Sequence, residues 1–522
     1  MTTSRTPEAR EPRILYASDS NNIAWCILRC KPLREQDTEA PELGDQPTAA
    51  DLRRHLDDLA DNGVDIFAQC VLAKQGAGWF EPEHPDHAHR PSIIDAIDPK
   101  DGAPIEIAID QCHRRGMKFI AKFRMADRHT RQDRADAIPR GFPQRREFWI
   151  EGLGHGALDF SRQEVHDWFF AMVEEILRRF DVDGFEFNFI RHMHCFAPAT
   201  ARERHPIMTR FIRRVRERLD AEAPKRGRSL WLGVRVPQTL EECAALGYDV
   251  ATWVREKLVD YVSPCDFFYP DFNAKYEQFA ALTGPTGCRL FPTISAVLSW
   301  VDTSRLMRPE NLRAVVRNMY AAGADGISLF NPQYFWTRRA PAEARHAGPP
   351  GGYLTALAWI RQWRDPARFD ELPRHYLFHP LWPVEAPSPS GFVKHDRIVL
   401  KRTVGACGAY RLRIAEDLST PGMVAELIVT ATTSAPGDRF EFSINGAPVA
   451  DESIKTVWNH EGRLEKYGRP LDPHYTFIFR LSSPPARDGD NVLGVKVIGA
   501  DEAAGGQIVI DELEVAVLPP MR

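Results

Sequence analysis

Hydrophobic and polar residues in the first two thirds of this chain alternate between a helical period and a strand period. Between Val165 and Phe180 the apolar residues recur at helical spacing, which predicts an amphipathic helix. Ser161 and Glu164 have the spacing of a capping box and predict where that helix starts. The next stretch, 181–192, alternates apolar and polar residues and then becomes polar, which predicts a buried strand that ends in a site.

The two faces of this strand differ in chemistry. Side chains alternate across a strand, so Phe185, Phe187 and Phe189 share one face, while Glu186 and Asn188 share the other. A strand covered by helices outside and open to a site inside has this pattern. In a (β/α)8 barrel, catalytic groups lie at the carboxyl ends of the strands. The alternative is that Glu186 is a buried carboxylate paired with an arginine for structural reasons.

Strand and helix patterns alternate along most of the chain. Strands are predicted at 14–17 (with 23–28 as a second possibility), 64–70, 117–124, 230–236, 260–264, 289–294 and 324–331, besides the central one. Helices are predicted near 49–61, 104–115, 200–220, 250–257, 273–282 and 310–322. This alternation indicates parallel β/α units, and eight such units favour a closed (β/α)8 TIM barrel over a doubly wound sheet.

The pattern changes after about residue 370. Short runs of period two follow at 397–402, 410–414, 424–432, 440–444, 475–481, 492–498 and 508–517. They predict an all-β sandwich of the jelly-roll, galactose-binding-like type. The predicted organisation is a disordered leader at 1–12, the barrel over 13–372, a linker over 373–391 and the β-sandwich over 392–522.

Composition narrows the class of protein. Of 522 residues, 43% are hydrophobic and 27% charged, and the net charge of -5 gives no electrostatic reason to expect nucleic acid as a partner. The sequence contains no secretory signal pattern and no run long enough to span a bilayer, so no membrane partner is expected. Nine cysteines without a CxxC pair favour reduced thiols and a cytoplasmic location. Homo-oligomerisation is left open.

Carboxylates at strand ends suggest glycoside hydrolysis, which needs two carboxyl groups flanking the scissile bond. Glu186 is the predicted acid/base. Candidates for the second carboxylate are Asp266, Asp127, Asp19 and Glu81, all after predicted strands. Asp266 is preferred because it follows a predicted strand directly and precedes a run of aromatic residues. A cap of a helix or loop is the alternative role for Asp266.

The predicted inward face is unusually basic. It carries Lys122, Arg124 and Arg235, and Arg191 and His192 lie just beyond the central strand. These cations either neutralise the carboxylates or, if they exceed them, suit an acidic or carboxylate-bearing sugar. The remaining predicted substrate-binding residues are amides and aromatic residues near strand ends, namely Gln69, Trp79, Asn188, Tyr269 and Asn331.

Two other activities and one non-catalytic function remain open. His192 and His194 have alternate spacing next to Glu186, which suggests a metal-dependent hydrolase, although no further ligand stands at a recognisable spacing. Lys122 on such a barrel also allows a Schiff-base lyase. A non-catalytic carbohydrate-binding barrel is the third alternative. The preferred prediction, an O-glycosyl hydrolase acting on an oligo- or polysaccharide, requires no cofactor.

Several stretches of the barrel resemble one protein family. They are Val182 to Arg191, Arg235–Val236–Pro237, Gly247 to Trp253 leading to Val259–Asp260, and Gly323 to Ile327 with Phe330–Asn331. Over residues 50–335 the chain resembles the bacterial glycosyl-hydrolase-like proteins related to glycoside hydrolase family 10. The resemblance implies a (β/α)8 barrel acting on carbohydrate.

The resemblance also assigns residues. Glu186 matches the family's strand-four glutamate, and Arg191 matches its arginine. Asn188 departs from the pattern, which usually has Asp at this position. Family 10 enzymes carry a second glutamate on strand seven, but 289–299 contains no acidic residue here. The two-glutamate arrangement of that family therefore does not transfer directly.

Overall fold

The computed structural model describes most of the chain. The described residues are 11, 13–19, 23, 46–74, 76–89, 93–127, 145–153, 156–265, 270–295, 307–336, 352–378, 398–449, 454–459, 465–466, 469–470 and 474–518. The second possibility for the first strand, 23–28, lies outside them except for Ile23. The predicted leader also lies largely outside them.

A parallel sheet forms the first part of the molecule. Its strands are β1 (Ile14–Ser18), β2 (Ile66–Ala73), β3 (Gly76–Ala77), β4 (Lys118–Arg124), β5 (Gly184–Asn188), β6 (Trp231–Pro237), β7 (Tyr261–Cys265), β8 (Arg289–Leu290), β9 (Thr293–Ser295) and β10 (Ile327–Phe330). Their order is β8–β7–β6–β5–β4–β2–β1–β10–β9, and β3 forms an antiparallel hairpin with β2.

The two ends of this ladder belong to one stretch of chain. Strand β8 pairs with β7 and strand β9 pairs with β10, and only Phe291 and Pro292 separate β8 from β9. Proline has no backbone N–H to donate to a ladder, which explains the break at this point. The sheet therefore returns to its own start, with the seventh strand in two pieces. This confirms the predicted (β/α)8 barrel.

The helices follow the predicted rhythm. They are α1 (Ala49–Asp61), α2 (Pro104–Arg114), α3 (Gln163–Arg179), α4 (His205–Arg226), α5 (Leu240–Ala245), α6 (Val250–Arg255), α7 (Glu277–Thr283), α8 (Pro309–Ala321), α9 (Gln333–Trp336) and α10 (Gly352–Arg361). The capping box predicted at Ser161 and Glu164 is wrong. Helix α3 begins one residue later than the box requires, with Arg162 at its N-cap and no side-chain capping bond.

Antiparallel strands form the rest of the chain. They are β11 (Arg374–Phe378), β12 (Ile398–Lys401), β13 (Cys407–Ile414), β14 (Val424–Thr432), β15 (Arg439–Ile444), β16 (Ala447–Pro448), β17 (Ile454–Asn459), β18 (Glu465–Lys466), β19 (Arg469–Pro470), β20 (His474–Ser482), β21 (Gly489–Gly499) and β22 (Gln507–Leu518). One sheet has the order β11–β22–β14–β20–β17, with β12 also on β22, and a second has the order β13–β21–β15–β16. This is the predicted β-sandwich.

The chain divides into two compact units. The first comprises Met1–Phe267, Tyr276–Ala296 and Ala324–Arg364, and the second comprises Phe268–Lys275, Val297–Gly323 and Asp365–Arg522. A single boundary at residue 372 does not describe this division, because α8 belongs to the second unit. Strand β11 lies inside the predicted linker and pairs with β22, so the sandwich takes in part of that segment.

Two findings concern the chain as a whole. In the described part, no helix combines the length and the apolar character needed to cross a membrane. The cysteines of that part are free thiols, and all of them except Cys407 are buried.

Candidate active site

The central strand β5 has the two faces that its alternation predicts. Phe187 packs on Phe211 of α4, with ring centroids 5.6 Å apart, and Phe189 packs on Trp253 of α6 at 5.8 Å. Because side chains alternate, Glu186 and Asn188 occupy the opposite face, inside the barrel. Both are fully buried.

Glu186 is held in a buried ion pair with Arg235. The Arg235 Nε and Nη2 atoms donate to the two carboxylate oxygens at 3.0 and 3.1 Å, and the Tyr261 hydroxyl donates to Oε2 at 3.0 Å. Arg235 also donates to Thr293 Oγ1 at 2.6 Å and Ser328 Oγ at 2.9 Å. Both oxygens of Glu186 are therefore occupied. This geometry is the one that the structural alternative describes, and the role of Glu186 as the acid/base stays a prediction.

The hydrogen bond from Tyr261 to Glu186 depends on a glycine. Gly233 stands in register between Glu186 and Tyr261, and a Cβ placed on Gly233 would lie 1.9 Å from the Tyr261 ring. Burial, together with the Glu186 carboxylate, raises the pKa of Tyr261 well above its ordinary value. The phenol therefore stays protonated and can donate to Glu186.

Replacing Gly233 by Ala is expected to lower the free energy of unfolding by about 1–3 kcal/mol, the usual cost of overpacking a core. The added methyl group collides with ring carbons of Tyr261, which has no free space in the barrel interior. Urea unfolding of both proteins measures the change. Gly284→Ala is the control for an exposed glycine, because a Cβ there meets nothing within 4 Å and its φ of -51° suits any residue. An equal cost at both positions would contradict the packing explanation.

A second buried ion pair lies at the carboxyl end of β1. Arg124 donates from Nε to Asp19 Oδ1 at 2.6 Å, and its Nη2 lies 2.6 Å from Asp19 Oδ2. Lys122 Nζ is 3.7 Å from Asp19 Oδ1, and the Asp19 backbone N–H donates to Asn331 Oδ1. Burial alone would raise the pKa of Asp19, but the charges of Arg124 and Lys122 and the bond from Arg124 outweigh it. The pKa of Asp19 is consequently held far below its ordinary range, and the carboxylate stays ionised.

This depressed pKa predicts a pH-dependent contribution to stability. The unfolded-state value is 3.8 and the folded-state value is lower, so the stabilisation is complete above that pH and declines as the pH falls below it. Asp19→Asn should therefore destabilise the protein by about 1 kcal/mol less at pH 3 than at pH 6. Urea unfolding at the two pH values measures this. An equal loss of stability at pH 3 and pH 6 would contradict the lowered pKa of Asp19.

Asp127 lies just beyond β4, close to Arg124, His192 and Lys74. Its Oδ2 is 3.6 Å from Arg124 Nη1 and its Oδ1 is 3.6 Å from His192 Nδ1. Burial lowers the pKa of Lys74 to about 8, against the opposing charge of Asp127. The Lys74 ammonium lies over the ring of Trp149, 4.4 Å from its centroid.

Lys74 is a site residue that the sequence analysis missed. The predicted strand ended at Cys70, whereas β2 continues to Ala73 and places Lys74 at its carboxyl end. The apolar run Val71–Leu72–Ala73 was the signal that could have extended the strand. A perturbed lysine pKa next to a carboxylate is typical of functional sites.

Backbone strain is concentrated in the same region. Among the described residues other than glycine, eight have positive φ, and four of these follow barrel strands: Trp79 (79°), His192 (69°), Met193 (63°) and Asn331 (50°). Asparagine tolerates this conformation, but for the others it costs about 1–3 kcal/mol each. Such strain persists where the surrounding structure enforces it, and it favours a functional role for the loops after β3 and β5.

The other predicted site residues have different environments. Gln69 and Trp79 are fully buried, so Trp79 offers no exposed ring face for stacking on a sugar. Arg191 is largely enclosed, and burial and the neighbouring Arg124 lower its pKa against the charges of Asp19 and Asp127. Asp266 and Tyr269 lie outside the described residues.

The metal-dependent alternative lacks an assembled ligand set. Both oxygens of Glu186 are bound by Arg235 and Tyr261, and His192 faces Asp127. Within the described ranges, no group of three or more His, Cys, Asp or Glu residues is arranged to hold a metal ion.

Comparisons with known proteins were made by sequence and by structure. No protein-family model matches the chain, and no curated protein matches it. The solved structures that are similar to it include a noncanonic maltogenic α-amylase from Thermotoga neapolitana, with 10% identity, 92% of this chain and 98% of that chain covered, and a TM-score of 0.38. An α-L-fucosidase from Vibrio sp. strain EJY3 has 10% identity, 96% of both chains covered and a TM-score of 0.38.

A cycloisomaltooligosaccharide glucanotransferase from Paenibacillus sp. is also similar, with 13% identity and a TM-score of 0.33. The match covers 97% of this chain but only 57% of that one. TM-scores this low do not assign the chain to any of these enzymes. The description as a barrel with a β-sandwich rests on the strand pairing of the chain itself, and the relation to glycoside hydrolase family 10 stays a prediction.

Proposed function

We propose that this chain is a glycoside hydrolase whose active site lies at the carboxyl ends of the barrel strands. One observation carries the proposal: ionisable side chains and strained backbone converge there. Asp19, Arg124, Asp127 and His192 come from segments after or at the end of three different strands. Active sites of (β/α)8 enzymes are built at this end of the barrel.

Asp127 and Asp19 are the carboxylates that suit this chemistry. Both contact the guanidinium of Arg124, which limits their separation to less than about 10 Å, within the range for glycosidase pairs. A group that stabilises positive charge on the sugar ring must be ionised, and the lowered pKa of Asp19 keeps its carboxylate ionised. Asp127 lies beside His192 and Lys74, and we assign it the proton exchange with the glycosidic oxygen.

Glu186 has a positioning role in this proposal, because it holds Arg235 and Tyr261 in place. Asp266 remains a predicted second carboxylate, since it follows β7 directly in sequence. A cytoplasmic location also remains a prediction, resting on the number and scatter of the cysteines.

A screen of aryl glycosides and oligosaccharides, with neutral and acidic sugars in both sets, tests the proposal. We expect turnover of at least one class, and we expect the full rate to persist after exhaustive chelation. Activity that is lost on chelation and restored by a metal ion would favour the metal-dependent alternative instead.

A non-catalytic carbohydrate-binding barrel is the second candidate. Two observations favour it: the occupied oxygens of Glu186, and Asn188 in place of the Asp that the resemblance expects. Calorimetric titration with the same sugars separates the two candidates. Binding without turnover of any sugar in the screen would support the binding protein.

A further inference from the structure

Lys122 is a buried cation without a hydrogen bond. Its residue is fully buried, and its ammonium has no hydrogen-bond partner, although an ammonium offers three donors. The nearest carboxylate oxygen, Asp19 Oδ1, is 3.7 Å away and already accepts a 2.6 Å bond from Arg124. The ammonium also lies over the ring of Phe330, 4.9 Å from its centroid. A buried charge in this position is costly unless something else pairs with it.

Basic side chains outnumber carboxylates near Lys122 among the described residues. The cations are Lys122, Arg124, Arg191 and Arg235, and the carboxylates near them are Asp19, Asp127 and Glu186. Arg235 and Glu186 neutralise each other through two hydrogen bonds. Lys122 and Arg124 therefore share one carboxylate, that of Asp19.

Asn188 supplies a second unused donor nearby. It is fully buried, and its Nδ2 has no hydrogen-bond partner, whereas its Oδ1 accepts the backbone N–H of Ile190 at 3.0 Å. Asn188 stands on β5 beside Arg124 of β4, two positions beyond Lys122 on the same inward face. An amide donor and an ammonium donor thus occupy neighbouring strands.

We propose that Lys122 and Asn188 bind an oxyanion carried by the substrate, so that the enzyme acts on acidic sugars. The proposal deepens the proposed function and rests on it. A carboxylate or a sulfate ester would accept hydrogen bonds from both side chains and would place a negative charge beside the Lys122 ammonium. A carboxylate at position 188 would repel such a group, whereas the Asn188 amide can donate a hydrogen bond to it.

Cys70 is the internal group that competes with this explanation. It interacts electrostatically with Lys122, Arg124 and Arg191, and a thiolate there would itself provide a negative charge. Cys70→Ser removes that charge. Under the proposal, this variant keeps its preference for acidic sugars. A preference that appears only after Cys70→Ser would assign the missing charge to the thiolate and overturn the proposal.

Isothermal titration of the full chain tests the subsite without requiring turnover. The probes are methyl galacturonide and methyl glucuronide, their neutral parents, and galactose 6-sulfate, all at low ionic strength. We expect at least one acidic probe to bind about tenfold more tightly than its neutral parent. Tighter binding of a uronide identifies a carboxylate subsite, and tighter binding of the sulfated sugar identifies a sulfate subsite. Equal binding of acidic and neutral sugars would overturn the proposal.

Lys122→Met should remove this preference, so that acidic and neutral sugars bind with similar affinity. Lys118→Met is the matched control on the same strand, because Lys118 is partly exposed and lies over the ring of Trp231. Asn188→Asp is a second variant, which places a carboxylate next to the ammonium. We expect it to fold and to lose the preference. Retention of the preference in both Lys122→Met and Asn188→Asp would contradict the subsite.

The proposed oxyanion subsite and the proposed hydrolase activity can be contradicted independently of each other. If acidic sugars bind with the expected preference but no substrate is cleaved, the subsite holds and the hydrolase does not. If the enzyme cleaves neutral glycosides as efficiently as acidic ones, the hydrolase holds and the subsite does not.

Discussion

Glu186→Gln is expected to lower the free energy of unfolding by about 3–5 kcal/mol, the cost of removing one partner from a buried ion pair. The guanidinium of Arg235 is fully buried, and its Nε and Nη2 both donate to the Glu186 carboxylate. A neutral amide leaves that positive charge uncompensated in the barrel interior. Urea unfolding of the variant and the wild type measures the change.

The double variant Glu186→Leu/Arg235→Met is the control. Removing both charges together should restore much of the stability lost in each single variant, because no uncompensated charge remains. A double variant that is no more stable than either single variant would contradict the structural role of the Glu186–Arg235 pair. A Glu186→Gln protein of unchanged stability that has lost its activity would return Glu186 to the place of the catalytic acid.

Asp127→Asn is expected to reduce kcat by about 10²–10⁴, the usual contribution of a positioned proton donor or acceptor. The variant keeps the shape of the side chain but cannot exchange a proton with the glycosidic oxygen. Steady-state kinetics on the best substrate of the screen measure the loss. KM should change much less than kcat, since the change removes an interaction made in the transition state.

Asp110→Asn is the matched control for Asp127. Asp110 lies on α2, is half exposed and pairs with Arg114 one helical turn away, so its replacement should leave kcat unchanged. Activity of Asp127→Asn within tenfold of the wild type would exclude Asp127 as the group that transfers the proton.

The alternation of residues predicts much of the fold because it is a local property. The alternation from Phe185 to Phe189 assigns the faces of β5 correctly, and the repeated β/α rhythm yields the barrel. Features that depend on distant contacts are harder to predict. The split of the seventh strand at Pro292 and the pairing of β11 with β22, about 140 residues later, are examples.

The sequence predicts where the site lies, but it does not predict which arginine pairs with which carboxylate. Sequence alternation places Glu186, Lys122 and Arg235 on inward faces, yet it does not indicate that Arg235 reaches Glu186 while Arg124 binds Asp19. That choice depends on the register of neighbouring strands and on which side chain is long enough to cross between them. Lys74 was missed for a related reason, because the length of β2 is set by its pairing.

The crystal structure of Asp127→Asn with an intact acidic oligosaccharide would test the central claim most directly. The account predicts a sugar at the carboxyl ends of the barrel strands, with the glycosidic oxygen within hydrogen-bond distance of residue 127 and the anionic group on Lys122. An oligosaccharide bound at any other surface, with the barrel mouth empty, would contradict it.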